Sequence, residues 1–153
     1  MKAKPLIAAV LAGLALLSQV ACEKQGDQAI VQVSKDDPEM KAARDEALKR
    51  FPEFEAAFAK RTRNDAFAVK VGFPIRGSDE REYMWIDVRS MKSGVITGKL
   101  DDEPIGDVGL KSGEEVSANR ADIHDWMYAL NGAKPIGGFQ VEVLRKIQKE
   151  GGR

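Results

Sequence analysis

The chain has 153 residues, of which 24 are basic and 24 acidic, with one histidine and one cysteine. This balance argues against nucleic acid as a partner, because proteins that bind nucleic acid need a basic surface to displace counterions. A single cysteine also excludes an intramolecular disulfide, so packing has to stabilise the fold.

The N-terminus resembles an export signal that ends at a lipid-acceptor cysteine. Two lysines precede the apolar segment of residues 5–21, which is the pattern of a secretory signal peptide. The four residues QVAC at its end resemble the lipobox of bacterial lipoproteins, although Gln19 stands where leucine is usual. We predict a signal peptide over residues 1–21 and a lipid anchor on Cys22. Ordinary cleavage without lipidation, or an uncleaved anchor helix, remain alternatives.

Residues 22–36 are polar and uneven, and we interpret them as a lipid-anchored tether for a single domain over residues 37–150. Removal of the signal leaves 22 basic against 24 acidic residues, a net charge of about −2. The predicted location is the cell envelope, with the domain facing the periplasm. The sequence leaves open which membrane holds the anchor.

A helix is predicted at the start of the domain. Asp36 or Asp37 can cap it, and Pro38 suits its first position because the missing N–H costs nothing there. Apolar residues then recur at spacings of three and four, which places them on one face. They are Met40, Ala43, Ala47, Phe51, Phe54 and Phe58. Pro52 removes a backbone donor, so we expect either two consecutive helices or one kinked helix around it.

Strands are predicted after Asn64, where the apolar period changes from helical to two. The predicted strands cover residues 67–73, 83–89, 95–100, 115–118, 125–129 and 138–144. Turn pairs at Ser93-Gly94, Asn131-Gly132 and Gly137-Gly138 separate them. Helices first and strands afterwards, without regular βαβ alternation, indicate an α+β domain. We expect the N-terminal helix, or kinked helix pair, to pack on a mainly antiparallel β-sheet.

Five stretches between residues 38 and 146 resemble the YegJ-like bacterial family, a domain of unknown function. In order they are EYMWIDV, VITGKLDDEP, GLKSGEEV, DIHDWMYALNG and GGFQVEVLR. The positions that match as family-defining are Trp85, Asp125-Trp126-Met127, Asn131-Gly132 and Gly137-Gly138. One departure is an aspartate at position 102, where the family has asparagine before glutamate and proline. The resemblance implies exported or lipid-anchored relatives and implies no reaction.

The stretch from Asp122 to Trp126 is where catalysis can be argued. His124 could act as a general base if Asp122 or Asp125 oriented it. However, no serine lies in a glycine-x-serine-x-glycine elbow, so a nucleophile is missing. Neighbouring side chains on a strand point to opposite faces, so His124 and Asp125 could not line one cleft. We expect His124 to be solvated and Asp125 to anchor the loop beginning at Ala121 by hydrogen bonds.

Aromatic residues supply the candidate binding surface. Tyr83, Trp85, Trp126 and Tyr128, together with Asp125, could line an amphipathic pocket, and core packing is the competing interpretation. The acidic loop of residues 101–107 lacks the spacing of a calcium site, and one histidine without cysteine partners cannot build a usual zinc site. We therefore expect no metal and no cofactor.

These features predict a non-enzymatic envelope lipoprotein that serves as a binding or accessory module, with an immunity-type inhibitor as one version. Its expected partners are the membrane, through the lipid anchor, and an unidentified envelope protein or ligand. The alternative is a small envelope hydrolase that uses Asp122, His124 and Asp125 for acid/base chemistry.

Overall fold

The structure is a computed structural model that describes residues 37–151. The predicted signal peptide, Cys22 and the tether lie outside the described residues. The elements in chain order are α1 (Pro38–Ala59), β1 (Ala66–Pro74), β2 (Arg81–Lys92), β3 (Val95–Leu100), β4 (Glu115–Asn119), a 3-10 turn (Arg120–Asp122), β5 (Ile123–Ala129), β6 (Ile136–Gly137) and α2 (Phe139–Gly151). Neither described helix is both long and apolar enough to span a membrane.

The six strands form one sheet in the order β4-β3-β2-β1-β5-β6, and every neighbouring pair is antiparallel. Ser93 and Gly94 connect β2 to β3 with φ angles of 51° and 77°, which is the backbone that a tight hairpin requires. This arrangement confirms the predicted α+β fold with its antiparallel sheet.

Helix α1 begins as the sequence predicts. The carboxylate of Asp37 accepts hydrogen bonds from the backbone N–H groups of Glu39 and Met40, at 2.8 and 3.0 Å. Pro38 occupies the first turn, where its missing N–H leaves no gap in the helix. Pro52 lies inside α1, which runs as one helix from Pro38 to Ala59 rather than as two helices.

The phenylalanine face of α1 packs on the sheet. Phe54 is fully buried, and its ring centroid lies within 6.4 Å of five other aromatic rings. Trp126 of β5 is also fully buried, and its indole N–H donates to the carbonyl oxygen of Ala47 at 2.6 Å. Through these contacts α1 covers one face of the sheet.

The predicted strand over residues 138–144 is wrong, because this segment begins helix α2. The alternation of Val141 and Val143 about a glutamate matches a strand locally. The deciding interaction comes from elsewhere in the chain, since the carboxylate of Asp125 accepts the N–H groups of Phe139 and Gln140 at 3.0 and 2.9 Å. These N–H groups lack partners within the helix, so the carboxylate acts as an N-cap from a neighbouring strand.

Both helices lie on the same side of the sheet, where Gln140 of α2 donates to the carbonyl of Met40 in α1 at 3.4 Å. On that side Val69 lies between Ile86 and Trp126, and all three are fully buried. The next residue of β1, Lys70, lies opposite Trp85 and points to the other side. No helix among residues 37–151 covers that side, which we call the open face.

Candidate functional site

The open face brings polar and aromatic side chains from three neighbouring strands together. Lys70 belongs to β1, Arg81, Tyr83 and Trp85 belong to β2, and His124 belongs to β5. Tyr83 is 39% exposed, and Lys70, Trp85 and His124 are half-buried. We call these five residues the open-face cluster.

A β-bulge places His124 in this cluster. Lys70 pairs with Asp125, whereas the next residue, Val71, pairs with Ile123, so His124 is the extra residue on β5. Its ring lies against Tyr83 with 4.4 Å between the ring centroids. Asp125 is fully buried and turns towards α2 instead. The two neighbouring side chains therefore do not line one cleft.

Asp125 has a structural role that leaves it no free oxygen for catalysis. Its carboxylate accepts hydrogen bonds from the backbone N–H groups of Trp126, Phe139 and Gln140 at 2.8, 3.0 and 2.9 Å. Burial raises the pKa of this carboxyl, while those bonds and the charge of Lys70 oppose the rise. It is an anchor, as the sequence predicts, but it holds the start of α2 rather than the loop beginning at Ala121.

The Tyr83 ring and the Arg81 guanidinium of the cluster lie directly against Gly72. A Cβ atom at this position would lie 2.8 Å from Cε1 of Tyr83 and 3.0 Å from Nε of Arg81. The Arg81 guanidinium also donates to the carbonyl oxygen of Gly72, from Nε at 3.2 Å and from Nη2 at 2.5 Å. Because Gly72 has no side chain, the tyrosine ring and the guanidinium can pack on its backbone. Sequence reasoning missed this residue, which looks like one small position in an alternating strand.

His124 is not a solvated histidine, so that prediction is wrong. Burial lowers its pKa to about 4, and the positive charges of Arg44, Lys70 and Arg81 contribute to the shift. The carboxylate of Asp122 opposes it. The imidazole is therefore neutral at neutral pH.

The pKa values of Lys70 and Asp102 are also shifted. Burial lowers the pKa of Lys70, against the influence of Asp125 and Asp102, and its Nζ lies 6.0 Å from the ring centroid of Trp85. Asp102 lies in the loop after β3, where its carboxylate accepts the backbone N–H of Trp85 at 2.6 Å. Burial raises the pKa of Asp102. Groups perturbed in this way concentrate at functional sites. The sequence indicates Asp102 only as a departure from the family pattern and as part of the acidic loop, and it does not single out Lys70.

The predicted aromatic surface is divided between the two sides of the sheet. Tyr83 and Trp85 lie on the open face. Trp126 is fully buried under the helices, and Tyr128 stacks beside it with 6.0 Å between ring centroids. The expectation that these residues share one binding surface with Asp125 is therefore wrong, since core packing takes three of the five.

The predicted turn residues have positive φ angles, which asparagine and glycine adopt more readily than other residues do. Asn131 and Gly132 have φ angles of 49° and 72°, and they lie between β5 and β6. Gly137 has a φ of 93°, and a Cβ there would lie 2.3 Å from the carbonyl oxygen of Trp126. Gly138, with a φ of 75°, leads directly into α2. These residues shape the path into α2 and lie outside the open-face cluster.

A neighbouring side chain holds the acidic loop after β3 in place. The carboxylate of Glu82 accepts the backbone N–H groups of Ile105 and Gly106, both at 2.8 Å, which holds the loop along the edge of β2. Within residues 37–151 there is no group of three histidine, cysteine, aspartate or glutamate side chains placed to hold a metal ion.

A separate groove lies on the helix side, between α1 and the β2–β3 hairpin. It has a volume of about 340 Å³ and is lined by Glu55, Phe58, Ala59, Arg61, Ser90, Met91 and Lys92. The open-face cluster, which gathers positively charged and aromatic side chains from three strands, is the better candidate site.

Comparison with known proteins places the chain in a family. A family model described as "Uncharacterized protein conserved in bacteria (DUF2314)" matches residues 37–151. The chain belongs to this family. The uncharacterized protein YegJ of Escherichia coli strain K12 is 31% identical over 80 residues, which cover 52% of this chain and 50% of YegJ. The predicted resemblance to the YegJ-like family is thereby confirmed.

A second relative, from Neisseria meningitidis serogroup B, is named as a putative ankyrin repeat protein. It is 35% identical over 127 residues, which cover 78% of this chain and 50% of the relative. The chain spans about half the length of the curated relatives it matches. No solved structure matches the chain. The DUF2314 family is itself uncharacterized, so any function has to be argued from the site.

The depressed pKa of His124 predicts a pH-dependent loss of stability. The unfolded chain binds this proton near the ordinary histidine pKa of about 6.5, whereas the folded chain binds it only near 4. Between these values the unfolded state holds more protons, so the free energy of unfolding falls as the pH is lowered.

The variant His124→Phe keeps a ring against Tyr83 but cannot titrate. We expect urea unfolding to show wild type losing stability relative to this variant between about pH 6.5 and pH 4. Parallel pH profiles for the two proteins would show that His124 is not held neutral.

Proposed function

We propose that the protein is a cell-envelope lipoprotein whose DUF2314 domain is a non-enzymatic binding module. The observation that carries the proposal is the open-face cluster, where Tyr83 and Trp85 lie beside Lys70 and Arg81 on a side of the sheet that no described helix covers. Tyrosine, tryptophan and arginine are enriched at the centres of binding interfaces. A binding surface accounts for such residues outside the core.

The envelope location rests on the N-terminal sequence. The apolar segment of residues 5–21 and the sole cysteine, Cys22, form a signal followed by a lipid-acceptor position. Acyl chains are sufficient for anchoring, because each buried methylene contributes about 0.8 kcal/mol and two chains give stable attachment. The residues between Cys22 and α1 would hold the domain off the membrane.

The hydrolase alternative loses support from the geometry of its own residues. Asp125 is fully buried and its oxygens already accept three backbone N–H groups. His124 has a pKa of about 4, whereas a general base works best with a pKa near the operating pH. The exposed Asp122 would then have to act without either neighbour.

An immunity-type inhibitor is a special case of the binding role, and it differs only in its partner. A toxin gene beside the gene for this protein would favour the inhibitor version, and cell-wall enzymes there would favour an accessory role.

Lipidation makes a direct prediction for Cys22. Mass spectrometry of the membrane fraction is expected to show acyl mass on an N-terminal peptide that begins at Cys22, and Cys22→Ser is expected to abolish that mass. A wild-type protein that is soluble and carries an unmodified N-terminus would contradict the lipoprotein assignment.

The binding role predicts contacts at one face of the domain. A photoreactive phenylalanine analogue at Tyr83 is expected to form a defined crosslinked adduct in cells that produce the full-length protein. The matched control position is Lys49, whose side chain is 77% exposed on α1. Adding Arg81→Gln to the Tyr83 probe is expected to weaken the adduct, because it removes a charge beside the ring.

Equal crosslinking from both positions, or no adduct from either, would contradict the assignment of the open face as the binding surface.

A further inference from the structure

Three cations converge on the Tyr83–His124 ring pair without forming ion pairs. Arg44 of α1 donates from Nε to the carbonyl oxygen of Ile123 at 3.4 Å, beside His124. Arg81 donates to a carbonyl oxygen of β1, and the ammonium of Lys70 lies over the Trp85 ring. Within residues 37–151 none of the three lies within salt-bridge distance of a carboxylate.

Five other arginines of the domain pair with carboxylates. These pairs are Arg50 with Glu53, Arg76 with Asp107, Arg89 with Asp87, Arg120 with Glu55 and Arg145 with Glu142. Arg61 does not, and is held by the carbonyl oxygens of Phe58 and Arg89 and by the Phe58 ring. The cations around His124 are likewise held by neutral carbonyl groups and an aromatic ring, and they differ from Arg61 in that all three act on one imidazole. Their hydrogen bonds fix their positions but leave their charges uncompensated by direct contact.

Two carboxylates, Asp125 and Asp102, act on the charge of Lys70 without forming an ion pair with it, and both are also bound to backbone N–H groups. Asp125 accepts three backbone N–H groups and Asp102 accepts one, so part of each negative charge is stabilised by the backbone. At His124 the positive groups outweigh the single opposing carboxylate, Asp122, and this balance contributes to the low pKa of the imidazole. The excess of positive charge is therefore found around His124, next to the paired rings of Tyr83 and His124.

We propose that the open-face cluster binds a small ligand through an oxyanion, a carboxylate or a phosphate group, placed between Lys70, Arg81 and His124. The ligand's apolar or planar body lies against the ring of Tyr83. The inference rests on the proposed binding role of this face and specifies its ligand chemistry.

Each residue has a defined part in this site. Lys70 and Arg81 supply charge, and hydrogen bonds between charged groups and oxyanions are stronger than neutral ones. The neutral imidazole of His124 donates an N–H to the oxyanion. Tyr83 supplies a stacking surface, and Gly72 positions both Tyr83 and Arg81 because a Cβ there would displace them.

Binding of the oxyanion is coupled to protonation of His124. The groups that influence this imidazole are Arg44 from α1, Lys70 from β1, Arg81 from β2 and Asp122 from the turn before β5, while Tyr83 lies against its ring. An added negative charge favours the protonated imidazole, so the ligand raises the pKa of His124. By linkage, the oxyanion binds more tightly as the pH falls towards the pKa of the complex.

The sole histidine of the chain is a clean probe for this coupling. The full-length protein in detergent micelles, labelled with carbon-13 at histidine, is titrated by NMR in sodium chloride, sodium phosphate or sodium trifluoroacetate at equal ionic strength, because trifluoroacetate stays ionised where His124 titrates. We expect phosphate, trifluoroacetate or both to raise the pKa of His124 above its value in chloride. A response to phosphate alone assigns a phosphoryl ligand, and a response to trifluoroacetate alone assigns a carboxylate. Equal pKa values in all three salts would overturn the inference.

Variants separate binding from simple charge screening. Lys70→Gln and Arg81→Gln are each expected to weaken oxyanion binding about tenfold, because each removes one charged contact. Gly72→Ala is expected to weaken it without removing any charge, by displacing Tyr83 and Arg81. Arg89→Gln is the matched control, since Arg89 lies on the same strand but pairs with Asp87 at 2.6 Å. Unchanged binding in all three site variants, with the fold intact by circular dichroism, would overturn the inference.

These results are independent of the crosslinking experiment. An oxyanion response without a crosslinked adduct would retain the ligand site and remove the macromolecular partner. A specific adduct without an oxyanion response would retain the binding role and remove this ligand chemistry.

Discussion

The buried carboxylate of Asp125 is the interaction on which the rest of the domain depends. A carboxylate without exposure to water is costly unless hydrogen bonds replace its hydration. Here the first two N–H groups of α2 and the N–H of Trp126 supply that replacement. The same bonds satisfy helix N–H groups that have no partner within α2. One side chain on β5 thus fixes where α2 begins, and α2 completes the layer that covers the helix side of the sheet.

The bulge next to Asp125 creates the candidate site. Because β5 contains one extra residue before Asp125, His124 lies beside Tyr83 on the open face, while the Asp125 carboxylate caps α2. A regular strand would have no such extra residue. The residue that caps α2 and the residue that joins the candidate site are therefore neighbours at one bulge. This arrangement explains why a motif with the composition of a catalytic block holds a structural carboxylate and a neutral imidazole instead.

Local signals in the sequence were sufficient for much of the fold. The cap at Asp37, the proline after it and the phenylalanine spacing define α1, because each acts within a few residues along the chain. The alternating apolar residues define β1, and the Ser93-Gly94 pair defines the hairpin between β2 and β3. Helix α2 could not be predicted in this way, because the residue that caps it, Asp125, lies on β5, 14 residues before Phe139. The nearby valines favoured a strand.

The candidate site was harder to predict, because its members meet only through strand register. Lys70 is one polar position in an alternating strand, and nothing in its neighbours along the chain indicates that Trp85 and Asp125 lie opposite it on the two adjacent strands. The prediction of a solvated His124 failed because Arg44 and Tyr83 approach it from α1 and β2. Conversely, Trp126 and Tyr128 looked available for binding, and only the packing of α1 showed them to be core.

Amide hydrogen exchange at Phe139 and Gln140 tests the organising role of Asp125 most directly. First-turn amides of a helix ordinarily exchange quickly, because they have no intrahelical acceptor. We expect these two amides to exchange slowly at neutral pH, with protection close to that of the core strands, because the Asp125 carboxylate holds them. Rapid exchange at both positions in an otherwise protected domain would contradict the proposed link between β5 and α2.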